Sequence, residues 1–281
     1  MGSEVLALFC GLAAAASFGT SDFCGGFVTK RIRVFNVLLL SQCVAFAILF
    51  GFALTLKEPI PSWNNLLFGG LAGFFGTAGL VALYIGLARG SMGVVASVSA
   101  VVGAVLPIIS GILIEGPPSG GQVLGLLLGL CAIWYLAGGG AAAPVHLREL
   151  GLPILAGIGF GFFFIFIDQV SETSIFWPLA MAKGVAITMV LVVVCVSRQM
   201  VPVRWNPQLL IIVMAGIFEA AGNVFFALAS RMGRLDISTT LTSLYPAGTV
   251  FLAWLILRER LVPRQWFGVA VALVALFLIA S

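Results

Sequence analysis

From Val34 to Leu56 the chain carries no charged side chain, and runs of similar length recur along the whole sequence between short interruptions of Pro, Gly and charge. A bilayer core about 30 Å thick takes roughly 20 apolar residues of helix to cross, at about 1.5 Å of rise per residue. Hydrocarbon offers no water to the backbone, so each run must close its own hydrogen bonds as a helix or share them in a closed barrel. Barrel strands alternate apolar and polar residues, and these runs do not. With 61% hydrophobic and only 9% charged residues, against about 25% charged in soluble domains, the chain has no room for a soluble catalytic domain.

Charge-free runs bounded by breaks predict ten spans, near 4–28, 34–56, 63–88, 91–114, 120–140, 149–170, 175–197, 207–230, 236–257 and 264–281. Clear breaks fall at Lys57-Glu58-Pro59, Gly116-Pro117-Pro118, Ala143-Pro144 and Pro202. Laid on itself with one gapless offset of 143, the chain places Ala72-Gly73 on Ala215-Gly216, Phe75 on Phe218, Ala78-Gly79 on Ala221-Gly222, Gly90 on Gly233, and Gln122 with Gly125 on Gln265 with Gly268. A slightly different offset lays Gly11, Phe18 and Asp22 over Gly157, Phe164 and Asp168. The predicted fold class is an all-α membrane protein of ten transmembrane helices in two five-helix repeats, 1–140 and 149–281. An odd number of spans per unit inverts the second copy in the membrane, which is the architecture of alternating-access transporters with a site between the halves. Glycines at four-residue spacing (Gly69 and Gly73; Gly121, Gly125 and Gly129; Gly157 and Gly161) let helix backbones approach closely, within the chain or in a homodimer.

The remaining composition excludes several classes. Cys10, Cys24, Cys43, Cys131 and Cys195 sit in apolar runs without metal-ligand spacing, so they read as small core hydrophobes, with no metal, cofactor or disulfide expected. The net charge of +4 is scattered in ones to threes, without the clustering a nucleic-acid partner needs. The start, Met1-Gly2-Ser3-Glu4 running into Val5-Leu6, has no basic segment and no clear cleavage site before Asp22, so no signal peptide is expected. No G-x-x-x-x-G-K-[ST] loop appears, which disfavours ATP-driven pumping by this chain.

An ionisable side chain near a helix centre costs about 2.5–3.5 kcal/mol on insertion scales, so each one asks for a partner or a wet cavity. Asp22 has Gly19, Gly25 and Gly26 on its own helix face, which predicts open volume beside a carboxylate able to hold and release a proton; pairing with Lys30 is the bland alternative. Lys183 lies too deep in span 7 to snorkel easily, with Asp168 or Asp22 as its expected partner, in a fixed pair or in a substrate role. Gln42 takes the corresponding place in span 2. Glu219 and Asn223, four residues apart, face one way in span 8. In span 9, Ser238, Thr242, Tyr245 and Thr249 form one polar stripe expected to face the cavity, with Pro246 allowing a bend. Asp236 reads as an N-cap, Trp177 and Trp205 as interfacial anchors, and Glu115, Glu172 and Glu259 as helix-end or loop residues.

The chain resembles the ten-helix EamA-like members of the drug/metabolite transporter superfamily. Leu257-Arg258-Glu259-Arg260-Leu261 followed by Gln265-x-x-Gly268 is similar to the family's repeat ending, with Tyr245-Pro246 ahead of it. Glu115 with Gln122-x-x-Gly125 is a looser first copy, from which Gly116-Pro117-Pro118 departs. Asp22-x-x-Gly25-x-x-x-x-Lys30 also resembles the acid, glycine and lysine of the four-helix multidrug branch, where the acid binds proton and substrate; many EamA-like members lack it. The resemblance implies a transporter of small metabolites, often an exporter of amino acids or related compounds. Loops after the odd-numbered spans hold ten Lys and Arg, against Lys57, Arg231 and Arg234 on the other face. That count places both termini outside, whereas the resemblance places them in the cytoplasm.

The expected function is secondary transport of a small metabolite across a cell membrane, by proton-coupled export through a cavity holding Asp22, Gln42, Lys183, Glu219, Asn223, Ser238, Thr242 and Tyr245, with Asp22 and Asp168 as proton carriers. Partners are the substrate, protons and the lipid bilayer, for a monomer or a homodimer. The alternatives are an uncoupled facilitator and, from another class, an intramembrane aspartyl protease using Asp22 and Asp168 as a proton-sharing pair.

Overall fold

The computed structural model describes residues 2–89, 92–137, 150–197, 207–257 and 263–280. They form eleven helices: α1 (Gly2–Thr29), α2 (Val34–Thr55), α3 (Trp63–Arg89), α4 (Met92–Glu115), α5 (Gly120–Ala137), α6 (Gly151–Ser171), α7 (Phe176–Ser197), α8 (Pro207–Met232), α9 (Leu235–Thr242), α10 (Tyr245–Leu257) and α11 (Pro263–Ala280). Six helices, α1, α2, α3, α6, α7 and α8, are long and apolar enough to cross a membrane. Outward positions stay apolar, among them Phe9, Leu113 and Val196, as a lipid-facing surface requires. Cys43, Cys131 and Cys195 lie on that exterior, so only Cys10 and Cys24 are core residues, and all five are free.

Helix pairing survives exchange of the two halves. α1 packs along α8 as α6 packs along α3; α2 meets α8 as α7 meets α3; α4 lies on α6 as α9 and α10 lie on α1; α2 with α7 and α5 with α11 pair across the exchange. Backbone contacts repeat at residue level. A Cβ on Gly73 would strike the backbone of Ala182, and one on Gly216 the carbonyl of Ser41. Gly216 follows Gly73 by 143 positions and Ala182 follows Ser41 by 141, so the same close crossing is built twice from equivalent glycines. Such crossings suit lipid, where dispersion between close backbones replaces a hydrophobic drive.

Where one span was expected over 236–257, the chain forms two helices. Pro246 has no N–H, so the carbonyl of Thr242, four residues earlier, loses the donor a continuous helix would give it. The backbone tightens accordingly to i→i−3 bonds, Leu244 N to Leu241 O at 3.1 Å and Ala247 N to Leu244 O at 2.8 Å, and Pro246 falls in the first turn of α10, where its missing donor costs nothing. Broken backbone at membrane depth is tolerated only inside protein. The short α9 meets that condition: Leu235, Asp236, Ser238, Thr239, Thr240, Leu241 and Thr242 are all buried.

One face of the bundle is tied by polar contacts between helix connections. Ser171, ending α6, hydrogen-bonds Ser230 near the end of α8 at 3.3 Å. Arg234, between α8 and α9, donates to the carbonyl of Gly116, between α4 and α5, at 2.7 Å. Glu58, between α2 and α3, reaches the start of α7, where Ile175, Phe176 and Trp177 donate their backbone N–H groups to its carboxylate at 2.8, 3.0 and 3.1 Å. We term this the connection face. Ser119 and Gln122 form a reciprocal capping box at the start of α5, which accounts for the first Gln-x-x-Gly motif as a helix start.

Candidate functional site

The close crossings of α2 on α8 and of α7 on α3 bring three polar side chains together. Glu219, halfway along α8, accepts Lys183 Nζ from α7 at 2.5 Å and Gln42 Nε2 from α2 at 2.8 Å to each carboxylate oxygen. Gln42 and Lys183 stand 141 positions apart, the spacing of Ser41 and Ala182, so pseudo-equivalent positions of the two halves grip one carboxylate. Burial alone would make each of these charges costly. Here they neutralise one another, and Gln42 supplies the further hydrogen bonds that an ion pair withdrawn from water requires. Because a carboxylate only accepts, the amide of Gln42 must present its NH₂ to Glu219. Its Oε1 is thereby turned away, buried and without a donor among the described residues.

The triad opens on a cavity whose empty volume, counting the open space at its mouth, is about 660 Å³. Asp22 lines it from α1. Its side chain is buried, at 8% exposure, and no hydrogen bond or ion pair to it occurs among the described residues. Asn223 lines the cavity while donating Nδ2 to the carbonyl of Glu219 at 2.8 Å. Tyr245 lines it too, with its hydroxyl bonded to Ser99 Oγ at 2.9 Å and to the carbonyl of Ala96 at 3.1 Å, which ties α10 to α4. Phe18, Phe160, Phe163, Phe164 and Leu80 make up much of the apolar wall, with Phe18 edge-on to Phe164 at 6.5 Å and Phe163 edge-on to Phe164 at 5.6 Å.

The sequence profile of the EamA-like transporter family matches residues 5–138 and again residues 148–281. The chain belongs to the EamA-like transporter family. It is a multi-pass integral membrane protein containing two EamA repeats, and members of its family are membrane transporters of the drug/metabolite type rather than enzymes. No curated protein matches it significantly. Among solved structures, one described as a crystal structure of a protein shares its fold, with a TM-score of 0.75 at 15% identity over 97% of this chain and 95% of the other.

Within this EamA-like fold, Asp22, Gln42, Lys183, Glu219, Asn223 and Tyr245 converge on one cavity, while other expectations need correction. Lys183 pairs with Glu219 and not with Asp168 or Asp22. Asp168 is outside the cavity lining; its carboxylate accepts Ser230 Oγ at 2.5 Å near the connection face, so Asp22 and Asp168 form no proton-sharing pair. Ser238 and Thr242 are buried but absent from the lining, and Thr249 donates to the carbonyls of Gly19 and Tyr245. The break at Ser243–Leu244 is the cause, because 100° phasing does not carry across it and α9 is packed on all sides. Asp236 is the second residue of α9 rather than its N-cap; Arg234 grips it through Nε and Nη2 at 3.1 and 3.0 Å.

The glycines near Asp22 serve close packing and not open volume: Gly19 abuts the backbone of Tyr245 and Gly248, and Gly25 abuts the hydroxyl of Tyr84. Trp177 donates Nε1 to the carbonyl of Glu58 at 2.9 Å, joining an inter-repeat contact. Trp205 and Glu259 lie outside the described residues. The phenylalanine wall and Glu58 escaped the sequence reading. Phe18 over Phe164 was a repeat match that could have flagged the first; nothing local distinguishes Glu58 from a turn residue.

Proposed function

We propose that this protein is a secondary active transporter that moves a small polar or amphipathic metabolite, an amino acid or related compound, by alternating access. In this reading the ninth of ten spans is α9 with α10, the halves 1–140 and 149–281 are inverted repeats, and the cavity between them is the substrate chamber. Transport is export driven by protons across the cell membrane, with Asp22 holding proton and substrate in turn. Asp168, held by Ser230 away from the cavity, takes no part in coupling.

The observation that carries this reading is the contrast between the two acids and the one lysine that line the cavity. Lys183 and Glu219 are paired with each other, whereas Asp22 is buried beside empty space with no protein partner among the described residues. An acid left unpartnered at such depth is costly unless a second body satisfies it. A proton and a substrate can each do so, and one acid serving both couples their movements.

The test is counterflow and pH-jump transport in proteoliposomes, with a substrate first identified by ligand stabilisation of the purified protein. The wild-type protein should accumulate substrate against its gradient when a proton gradient is imposed. Asp22→Asn should abolish accumulation while its melting curve shows a folded protein. Full proton-driven activity in that variant would remove Asp22 from the mechanism. Substrate equilibration that no pH gradient can drive uphill would make the protein a facilitator.

A further inference from the structure

The polar groups of the cavity divide unequally into those already used and those left over. Ser21 Oγ donates to the carbonyl of Ala215 at 2.9 Å, Thr77 Oγ1 to that of Gly73 at 2.6 Å, Asn223 Nδ2 to that of Glu219, and Gln42 Nε2 to the two oxygens of the Glu219 carboxylate. Tyr245 is engaged with Ser99 and Ala96. Lys183 retains further N–H capacity, but its charge is committed to Glu219 at 2.5 Å. Two acceptors of the lining are left without a donor among the described residues: Gln42 Oε1, which is buried, and the Asp22 carboxylate. Lys183 and Glu219 are spent on one another, so Asp22 is the acid that an occupant of the chamber meets.

An occupant that complements this surface is positively charged, has at least two N–H donors, and carries an apolar body for the phenylalanine wall. We propose that the chamber takes a primary or secondary amine in its ammonium form, with N–H bonds to Asp22 and to Gln42 Oε1. This rests on the transport reading and narrows its substrate class from amino acids and related compounds to the related amines that lack a free carboxylate. A free carboxylate on the same body is disfavoured, since it would have to displace Glu219 from Lys183. A quaternary ammonium would satisfy the charge of Asp22 and leave Gln42 Oε1 orphaned, a penalty that sites built around hydrogen bonds impose on analogues lacking the donor. Gln42 is therefore the specificity-determining residue and Asp22 the charge-binding one, and the Gln42 orientation that creates the preference is fixed by Glu219.

The experiment compares four probes with one phenyl body on the purified full chain in nanodiscs, by thermal shift and calorimetry: phenethylamine, its N,N,N-trimethyl analogue, phenylalanine and 3-phenylpropionate. Phenethylamine is expected to bind at least tenfold more tightly than the trimethyl compound and than phenylalanine, with 3-phenylpropionate giving no shift. Asp22→Asn should lose phenethylamine binding, and Asp22→Glu should retain part of it. Gln42→Leu should bring the primary-to-quaternary ratio close to one. Gln42→Asn, which keeps the amide but retracts it, covers the case in which the leucine variant does not fold, and should also narrow the ratio. The proposal is overturned if 3-phenylpropionate or phenylalanine binds as tightly as the amine, if no amine binds the wild-type protein, or if Asp22→Asn leaves amine binding unchanged. Amine binding with no flux of any solute would sustain the site assignment and sink the transport reading, so the two failures are distinguishable.

Discussion

Replacing Glu58 by Ala removes a contact that joins the two repeats at the connection face. Its carboxylate receives three consecutive backbone N–H groups at the start of α7, at 2.8, 3.0 and 3.1 Å. These donors have no intrahelical partner, and a negative charge at that end also meets the positive pole of the helix. Loss of a helix-capping side chain costs about 0.5–2 kcal/mol, and hydrogen bonds to a charged acceptor are worth about 1.5–3 kcal/mol. Glu58 is only partly buried, so we take about 2 kcal/mol for the whole contact after allowing for solvent screening. Under the alternating access proposed above, the halves part at each face in turn, so a contact made only while this face is closed biases the cycle by its full worth. About 2 kcal/mol corresponds to roughly a thirtyfold change in the balance of the two states.

In the second repeat the sequence position matching Glu58 is Val201, 143 residues on, whose side chain carries no carboxylate. The assay uses the cavity-lining Ala186, replaced by Cys in a background without other cysteines, and a membrane-impermeant maleimide applied to vesicles of each orientation. With Glu58→Ala, labelling from the connection face should accelerate at least tenfold, and Glu58→Gln should fall between. A lowered melting temperature with unchanged labelling from that face would refute the reasoning, because the contact would then persist through both states and act only as a staple.

Three other outcomes follow from single contacts. Lys183→Met should cost about 3–5 kcal/mol in detergent unfolding by leaving Glu219 unpaired, and Lys183→Met with Glu219→Met should recover much of the loss, since a buried pair replaced as a unit is often neutral. Gly73→Val should fail to assemble, because its Cβ meets the backbone of Ala182, whereas Gly51→Ala, with nothing within 4 Å of the new Cβ, should be neutral or slightly stabilising; yield and melting temperature in parallel purifications decide both. Ser119→Ala should cost about 0.5–2 kcal/mol through loss of the α5 capping box, read from the unfolding midpoint.

Long helices were legible in the sequence because hydrocarbon imposes one period and one length on every apolar run, and the repeat was legible because close crossings preserve glycines at fixed offsets. Side-chain pairing was less accessible. Lys183 found Glu219 thirty-six positions away on another helix, and nothing along either helix distinguishes that partner from Asp22 or Asp168. The polar stripe failed for a geometric reason: Pro246 marks a weak point, but whether a helix bends or breaks there depends on the packing around α9. Glu58 was opaque because its partners are backbone groups of a distant helix, which leave no trace in residue type.

The two repeats share a frame but not a chemistry, and that difference locates the site. Glu219 and Asn223 lie 143 positions after Gly76 and Leu80, and all four line the cavity. In the first repeat those positions are apolar wall; in the second they supply the carboxylate and amide. Phe18 and Phe164, 146 positions apart, remain matched and line the same cavity, whereas Asp22 faces it and its equivalent Asp168 is held by Ser230 instead. A symmetric frame can present similar surfaces to both faces, which a rocking motion needs. Acids placed asymmetrically on that frame set Asp22 beside an aromatic wall on one side of the cavity, so the amine proposed above would have one preferred orientation in it whichever face is open. Removing the Ser230 bond to Asp168, by Ser230→Ala in the Asp22→Asn background, should therefore not restore amine binding. Recovery in that double variant would show that the halves are interchangeable and that the cavity's asymmetry carries no function.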